Sequence, residues 1–163
     1  DELIQILDVE KVLGEVIALE DVAIVDVGDV DHVAGKRVLV VDDSSVARNQ
    51  TARTLDQIGV DYVAARDGRE ALELLRAMAG EEAATEKVQM VISDIEMPEM
   101  DGYTLTRELR QDPVWSGIYV LLHTSLNGAI NAEKADKVGA NAVLTKFVPD
   151  ELAKAVVAGL ERG

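Results

Sequence analysis

The 163-residue chain contains no cysteine, which excludes disulfides, thiolate nucleophiles and cysteine-ligated metals. Histidine is nearly as scarce: His32 and His123 are isolated and cannot by themselves make a zinc site. Positive charge is in short supply, with 16 basic against 31 acidic residues and a net charge of −15. Such a surface repels phosphate backbones and anionic lipid headgroups, so direct binding to nucleic acid is not expected. No continuous apolar run approaches the roughly 20 residues that span a bilayer, and the start DELIQILDVE lacks the basic opening of a signal peptide. These absences point to a soluble, reduced, cytoplasmic protein without membrane insertion. Any metal it holds would be a hard cation on oxygen ligands.

What is present is a strong alternation of apolar runs and amphipathic segments. Hydrophobic residues make up 48% of the chain, enough for one substantial core, and the length suggests one domain or one domain plus a piece of another. The run RVLVV (37–41) predicts a strand. Ser44 and Ser45 then offer N-caps, and Ala47, Thr51, Leu55 and Ile58 recur at helical spacing until Gly59. The unit repeats with a strand at 60–66, a turn and cap at Asp67 and Gly68, and a helix whose inner face carries Ala71, Leu72, Leu75 and Met78. Further strands are predicted at 88–94, 118–124 and 141–146, and further helices at 102–112, 131–139 and 149–163, the last with Pro149 in its first turn.

Five strands alternating with five helices, most of the strands continuously apolar, imply a parallel α/β sheet covered on both faces. Ligands of such sheets sit at the carboxyl ends of the strands, near the point where strand order reverses. Asp42 and Asp43 follow the first strand, Asp94 the third, Thr124 the fourth and Lys146 the fifth. Parallel strands bring these residues to one edge despite their separation in sequence. Three carboxylates there repel one another unless a divalent cation such as Mg²⁺ offsets the charge. Lysine adds a point charge for phosphate oxygens and threonine a hydroxyl donor. This set of groups suits phosphoryl transfer to an aspartate.

The motifs VLVVDDS, VISDIEMPEMDG, LLHTS and LTK, in that order, resemble the receiver domain of two-component response regulators, and the resemblance covers Lys36 to the C-terminus. It implies a flavodoxin-like (CheY-like) doubly wound five-stranded sheet of order 2-1-3-4-5, and phosphorylation of Asp94 by a phosphohistidine on a sensor kinase. By the same resemblance Asp43 and Asp94 ligate Mg²⁺ directly, Glu96 contributes its backbone carbonyl, and Asp42 acts through water. Lys146 holds the phosphoryl oxygens, and Thr124 turns toward the phosphoryl group and signals its presence. The protein would then be a signalling switch that catalyses its own phosphoryl transfer and dephosphorylation, not an enzyme acting on other substrates. Two positions depart from the pattern. Val143 stands where many receivers have an aromatic residue, and Phe147 where the residue after the lysine is often proline.

Residues 1–35 stand outside this pattern. LIQILDVEKVL resembles the closing segment of a CheW-like coupling domain, and a coupling domain followed by a receiver is the arrangement of CheV-type chemotaxis proteins. TKFVPDEL also resembles that family. The division expected is therefore 1–35, the end of a coupling domain plus linker, and 36–163, the receiver. The implied partners are a CheA-type histidine kinase and, through the missing coupling domain, chemoreceptors. Ending at Gly163 straight after the last helix, the chain is not expected to carry a DNA-binding output.

Plainer roles compete at each position. The paired aspartates could cap a helix, Thr124 could be a strand hydroxyl and Lys146 a surface lysine, while His123 is expected to have no catalytic task. Glu96 either tunes hydrolysis through water access or is merely solvated. A polar exposed face accounts for Arg48, Asn49 and Arg53 better than kinase docking does. Trp115 is expected at the end of the sheet opposite the acidic residues, and GEEAATEK is a solvated loop. Two other functions remain in view. A phosphorylation-independent interaction module is one; an aspartyl-phosphate phosphatase is the other, although DIEMP lacks the threonine that dehalogenase-type enzymes require. VVDDSSVAR has no glycine for a nucleotide phosphate loop.

Overall fold

The β-branched run from Arg37 to Val41 forms the first strand, β1, and is buried beyond its first residue. A computed structural model of the chain describes residues 33, 35–80, 86–124, 132–145 and 149–162. Strand and helix alternate through them: α1 (Ser45–Gln57), β2 (Asp61–Ala65), α2 (Gly68–Ala79), β3 (Met90–Asp94), α3 (Gly102–Gln111), β4 (Tyr119–Thr124), α4 (Ala132–Val138), β5 (Ala142–Thr145) and α5 (Pro149–Arg162). Every strand pairing is parallel and the order is β2-β1-β3-β4-β5, the doubly wound order implied above. Strand β1 has the predicted bounds, whereas β2 to β5 each begin one or two residues later than predicted; the residues just ahead of them make lead-in contacts, Gln89 N–H, for example, donating to the Arg37 carbonyl at 2.9 Å. Asn131, at the start of the fourth predicted helix, and Lys146, at the end of the last predicted strand, lie outside the described residues.

Three helices that begin at the carboxyl edge of the sheet are capped by short polar side chains. Ser44 accepts from Ala47 N–H at 3.2 Å, Asp67 from Glu70 N–H at 2.9 Å and Asp101 from Thr104 N–H at 2.7 Å. At the far end of α1, Gly59 takes φ of +75°, its N–H donates to Asp56 and that of Val60 to Leu55. This paired closure is the Schellman motif, whose left-handed position glycine adopts without penalty.

Alternation along the central strands divides the core between the two faces of the sheet. Val38, Val40, Met90, Ile92 and Leu121 pack with α1 and α5. Leu39, Val41, Val91, Val120 and Leu122 pack with α2, α3 and α4. Strand β2 differs from the others: it has a partner on one side only, and Asp61, Tyr62 and Ala64 are exposed. Val33 is fully buried against the α1 and α5 side, so a residue ahead of β1 shares the core of the sheet.

At the amino edge of the sheet one side chain joins three segments. Arg110 Nε donates to the Gly139 carbonyl at 2.9 Å, Nη1 to Ser116 and Ile118 at 3.1 and 2.7 Å, and Nη2 to Asn141 Oδ1 at 2.7 Å. Asn141 Oδ1 also accepts from Val120 N–H at 2.8 Å, so α3, the end of α4 and the starts of β4 and β5 are held together. Partial burial lowers the guanidinium pKa below its ordinary value, yet the fork geometry satisfies carbonyls that lysine could not reach together. Arg110→Ala should destabilise the fold by about 2–3 kcal/mol, and Arg110→Lys should recover less than half of that. Urea denaturation read by the fluorescence of buried Trp115 checks both; equal stability of the lysine variant and the parent would contradict the fork.

Candidate functional site

The sheet register assembles the acidic residues. Val41 lies beside Ser93, so the next residues of β1 and β3 are Asp42 and Asp94, on neighbouring strands. Asp42, Asp43 and Asp94 each present a carboxylate oxygen, and these atoms all lie within 4.8 Å of one another. Asp42 is only 4% exposed; Asp94 is half-buried and Asp43 exposed.

Backbone hydrogen bonds fix two of the carboxylates. Asp42 Oδ1 accepts from Ser44 N–H at 2.9 Å, which folds the β1–α1 turn. Asp94 Oδ1 accepts from Ile95 N–H at 2.8 Å. Arg48 Nη1 donates to the Asp42 carbonyl at 2.6 Å and places positive charge on the turn that carries both aspartates. Arg48 is therefore half-buried against the site loop, unlike the exposed Asn49 and Arg53. Its i+6 relation to Asp42 was visible in the sequence, but nothing there said that the side chain turns back.

Unit charges 4 Å apart repel by about 1 kcal/mol in water and about 4 kcal/mol at the effective dielectric of a protein surface. A bound divalent cation would offset such repulsion. The donors are all hard oxygens, which suit Mg²⁺ or a similar cation and not a soft transition metal. Oxygens sharing one octahedral Mg²⁺ at about 2.1 Å lie at most about 4.2 Å apart, close to the observed spread. The residues present thus fit a divalent cation.

Thr124 ends β4, the strand next to β3, and is buried; its register partner is Thr145 at the end of β5. His123 is the register partner of Asp94 and is also buried. Lys146 and Phe147, which follow β5, lie outside the described residues, as does residue range 81–85 of the predicted loop. Val143 is half-buried and packs on the α2–α3–α4 side of the core. The Glu96 side chain is exposed on the loop after β3. That loop closes where Gly102 N–H donates to the Ile95 carbonyl at 2.9 Å. A side chain at Gly102 would overlap the Asp94 carbonyl oxygen, so the glycine sets how closely α3 approaches the site.

The acidic cluster does not coincide with the hollow of about 540 Å³ lined by Lys36, Val88, Gln89, Trp115 and Ile118. Lys36, Gln89 and Ile118 directly precede β1, β3 and β4, which puts that hollow at the amino edge. Trp115 is there as expected, its indole N–H donating to the Leu75 carbonyl at 2.7 Å. Among the described residues no helix is long and apolar enough to cross a membrane.

Comparison with known proteins agrees with this geometry. The response regulator receiver domain matches residues 38–157. Chemotaxis protein CheV3 of Helicobacter pylori is 33% identical over 150 residues, covering 90% of this chain and 48% of that protein. Chemotaxis protein CheV1 of the same organism is 27% identical over 161 residues, covering 98% and 49%. The chain thus spans about half the length of these curated relatives. Among solved structures, Vibrio cholerae chemotaxis protein CheY4 superposes with a TM-score of 0.64 at 29% identity, covering 76% of this chain and 97% of that one. A response regulator from Chloroflexus aurantiacus gives a TM-score of 0.69 at 28% identity, covering 78% and 98%. Fold, strand order, acidic cluster and sequence match agree, and the chain belongs to the response regulator receiver domain family.

Proposed function

We propose that this receiver accepts a phosphoryl group on Asp94 in a Mg²⁺-dependent reaction and thereby modulates a chemotaxis receptor–kinase assembly. The observation that carries the reading is the trio of carboxylates within 4.8 Å at the carboxyl ends of β1 and β3, in a chain whose family consists of signalling switches and not conventional enzymes. Asp43 and Asp94 are the direct metal ligands in this reading, with the Glu96 backbone carbonyl, and Asp42 acts through water. Bound Mg²⁺ supplies charge neutralisation for the transferring oxygens.

An Asp94 carboxylate oxygen forms the new P–O bond as the P–N bond of a donor phosphohistidine breaks, and the electron pair stays on the imidazole. Lys146 holds the phosphoryl oxygens, and Thr124 senses them through its hydroxyl. Hydrolysis of the acyl phosphate by water resets the switch. The donor is a CheA-type histidine kinase in the cytoplasm. Similarity to CheV3 and CheV1 supports this context, and the CheV1 match extends over 98% of the chain, which takes in the leading residues. Residues 1–35 are then the end of a CheW-like coupling domain and its linker, whose Val33 packs into the core of the receiver, 36–163, and the upstream domain would reach the chemoreceptors.

Incubation with acetyl phosphate followed by intact-mass measurement tests the chemistry. The expected outcome is one added phosphoryl group with Mg²⁺, none after chelation and none in Asp94→Asn. A folded protein that gains no phosphoryl group with Mg²⁺ would favour the phosphorylation-independent interaction module instead. Removing one of the crowded charges should also stabilise the metal-free protein. Asp43→Asn in chelator is expected to be more stable than the parent by about 0.5–1.5 kcal/mol in urea denaturation; a less stable variant would mean that the Asp43 carboxylate is held by favourable contacts that outweigh its repulsion.

A further inference from the structure

The loop between β3 and α3 carries a backbone conformation that its sequence does not favour. Glu99 has φ of +68°, the one positive value among described non-glycine residues. Met100 N–H donates to the Pro98 carbonyl at 2.7 Å, which makes Pro98–Met100 a γ-turn of the rare left-handed kind. A bulky, non-glycine residue held there carries strain, and such strain persists only where its surroundings over-determine it.

Those surroundings are the amino end of α2. Gly68 is the first residue of that helix, and its N–H is one of the donors without an intrahelical partner. It donates to the Met100 carbonyl at 3.2 Å. The approach is so close that a Cβ on Gly68 would lie 2.6 Å from that oxygen and 2.9 Å from Met100 Cγ. The next residue, Arg69, reaches Glu99 Oε1 at 3.5 Å, and Met97 and Met100 pack on the core beneath. The α2 terminus is itself firmly tied. Asp67 caps it, and Glu70 accepts from both the backbone and the guanidinium of Arg66 at 2.7 and 3.2 Å.

We propose that the α2 terminus is a clamp, with Gly68 as positioning residue, that holds the strained Pro98–Met100 turn and so sets the aim of the Glu96 carbonyl at the metal site. The inference rests on the proposed metal-binding function and adds a controlling element outside the acidic cluster. Opening the clamp relaxes Glu99, lets residues 96–101 shift and withdraws one oxygen from the cation. Glycine is needed at 68 because any side chain prises the loop away.

Amide hydrogen exchange of the unaltered chain, with and without Mg²⁺, tests the coupling. If opening the clamp disables the site, linkage requires Mg²⁺ at about ten times its dissociation constant to slow exchange of the Gly68 N–H by up to about tenfold. Gly68→Ala should speed exchange across residues 96–101 in metal-free protein and raise the Mg²⁺ dissociation constant by calorimetry about fivefold or more, or about 1 kcal/mol. Mg²⁺ that perturbs the amides around Asp43 and Asp94 while leaving Gly68 exchange unchanged would overturn the clamp and leave the metal site standing. Absence of any perturbation around Asp43 and Asp94 would overturn the metal site and the clamp with it. If Gly68→Ala does not fold, the measurement on the unaltered chain decides alone.

Discussion

Mutual repulsion of three carboxylates held within 4.8 Å is the constraint on which the rest of this structure turns. Carboxylates placed freely on a surface would spread apart, and here they cannot. The strand register fixes Asp42 beside Asp94, Ser44 and Ile95 N–H groups hold one oxygen of each, and Arg48 secures the turn through the Asp42 carbonyl. The parallel sheet serves as a rigid frame that keeps like charges together. Such a frame costs the cation-free protein some stability, which the proposed binding of a cation would offset.

The frame is stiff where it is packed and strained where it meets the site. Two apolar layers and the Arg110 fork fix the amino edge of the sheet. At the carboxyl edge, besides the side-chain caps, two close approaches depend on glycine. Gly102 lets α3 approach Asp94, and Gly68 lets the loop after β3 lie against α2. Substitution at these positions would move the backbone at Asp94 and in the loop that follows it. The left-handed Glu99 sits in the middle of this region, in keeping with the tendency of strained residues to cluster at functional loops.

Much of this was legible in the sequence because the signals are local. Apolar runs ending in aspartate, the Ser44 cap and the helical spacing of Ala47, Thr51 and Leu55 specify strand, turn and helix within twenty residues. The convergence of Asp42, Asp43 and Asp94 followed from parallel topology alone. Arg48 was read as a solvated surface residue because periodicity assigns a face and not a rotamer. The Gly68–Met100 approach joins residues that meet only once the strand order is set, and DG read locally was just a turn and a cap. Exposure of β2 follows from its edge position, which composition does not encode.

Thermal unfolding across a Mg²⁺ titration at constant ionic strength tests most directly whether the crowded carboxylates exist to bind a cation. The expected result is a midpoint that rises with the logarithm of free Mg²⁺ above the dissociation constant, as binding to the native state alone requires, with no comparable rise from added monovalent salt. A midpoint indifferent to millimolar Mg²⁺, or one raised equally by sodium chloride, would mean that the three aspartates are tolerated for some other reason.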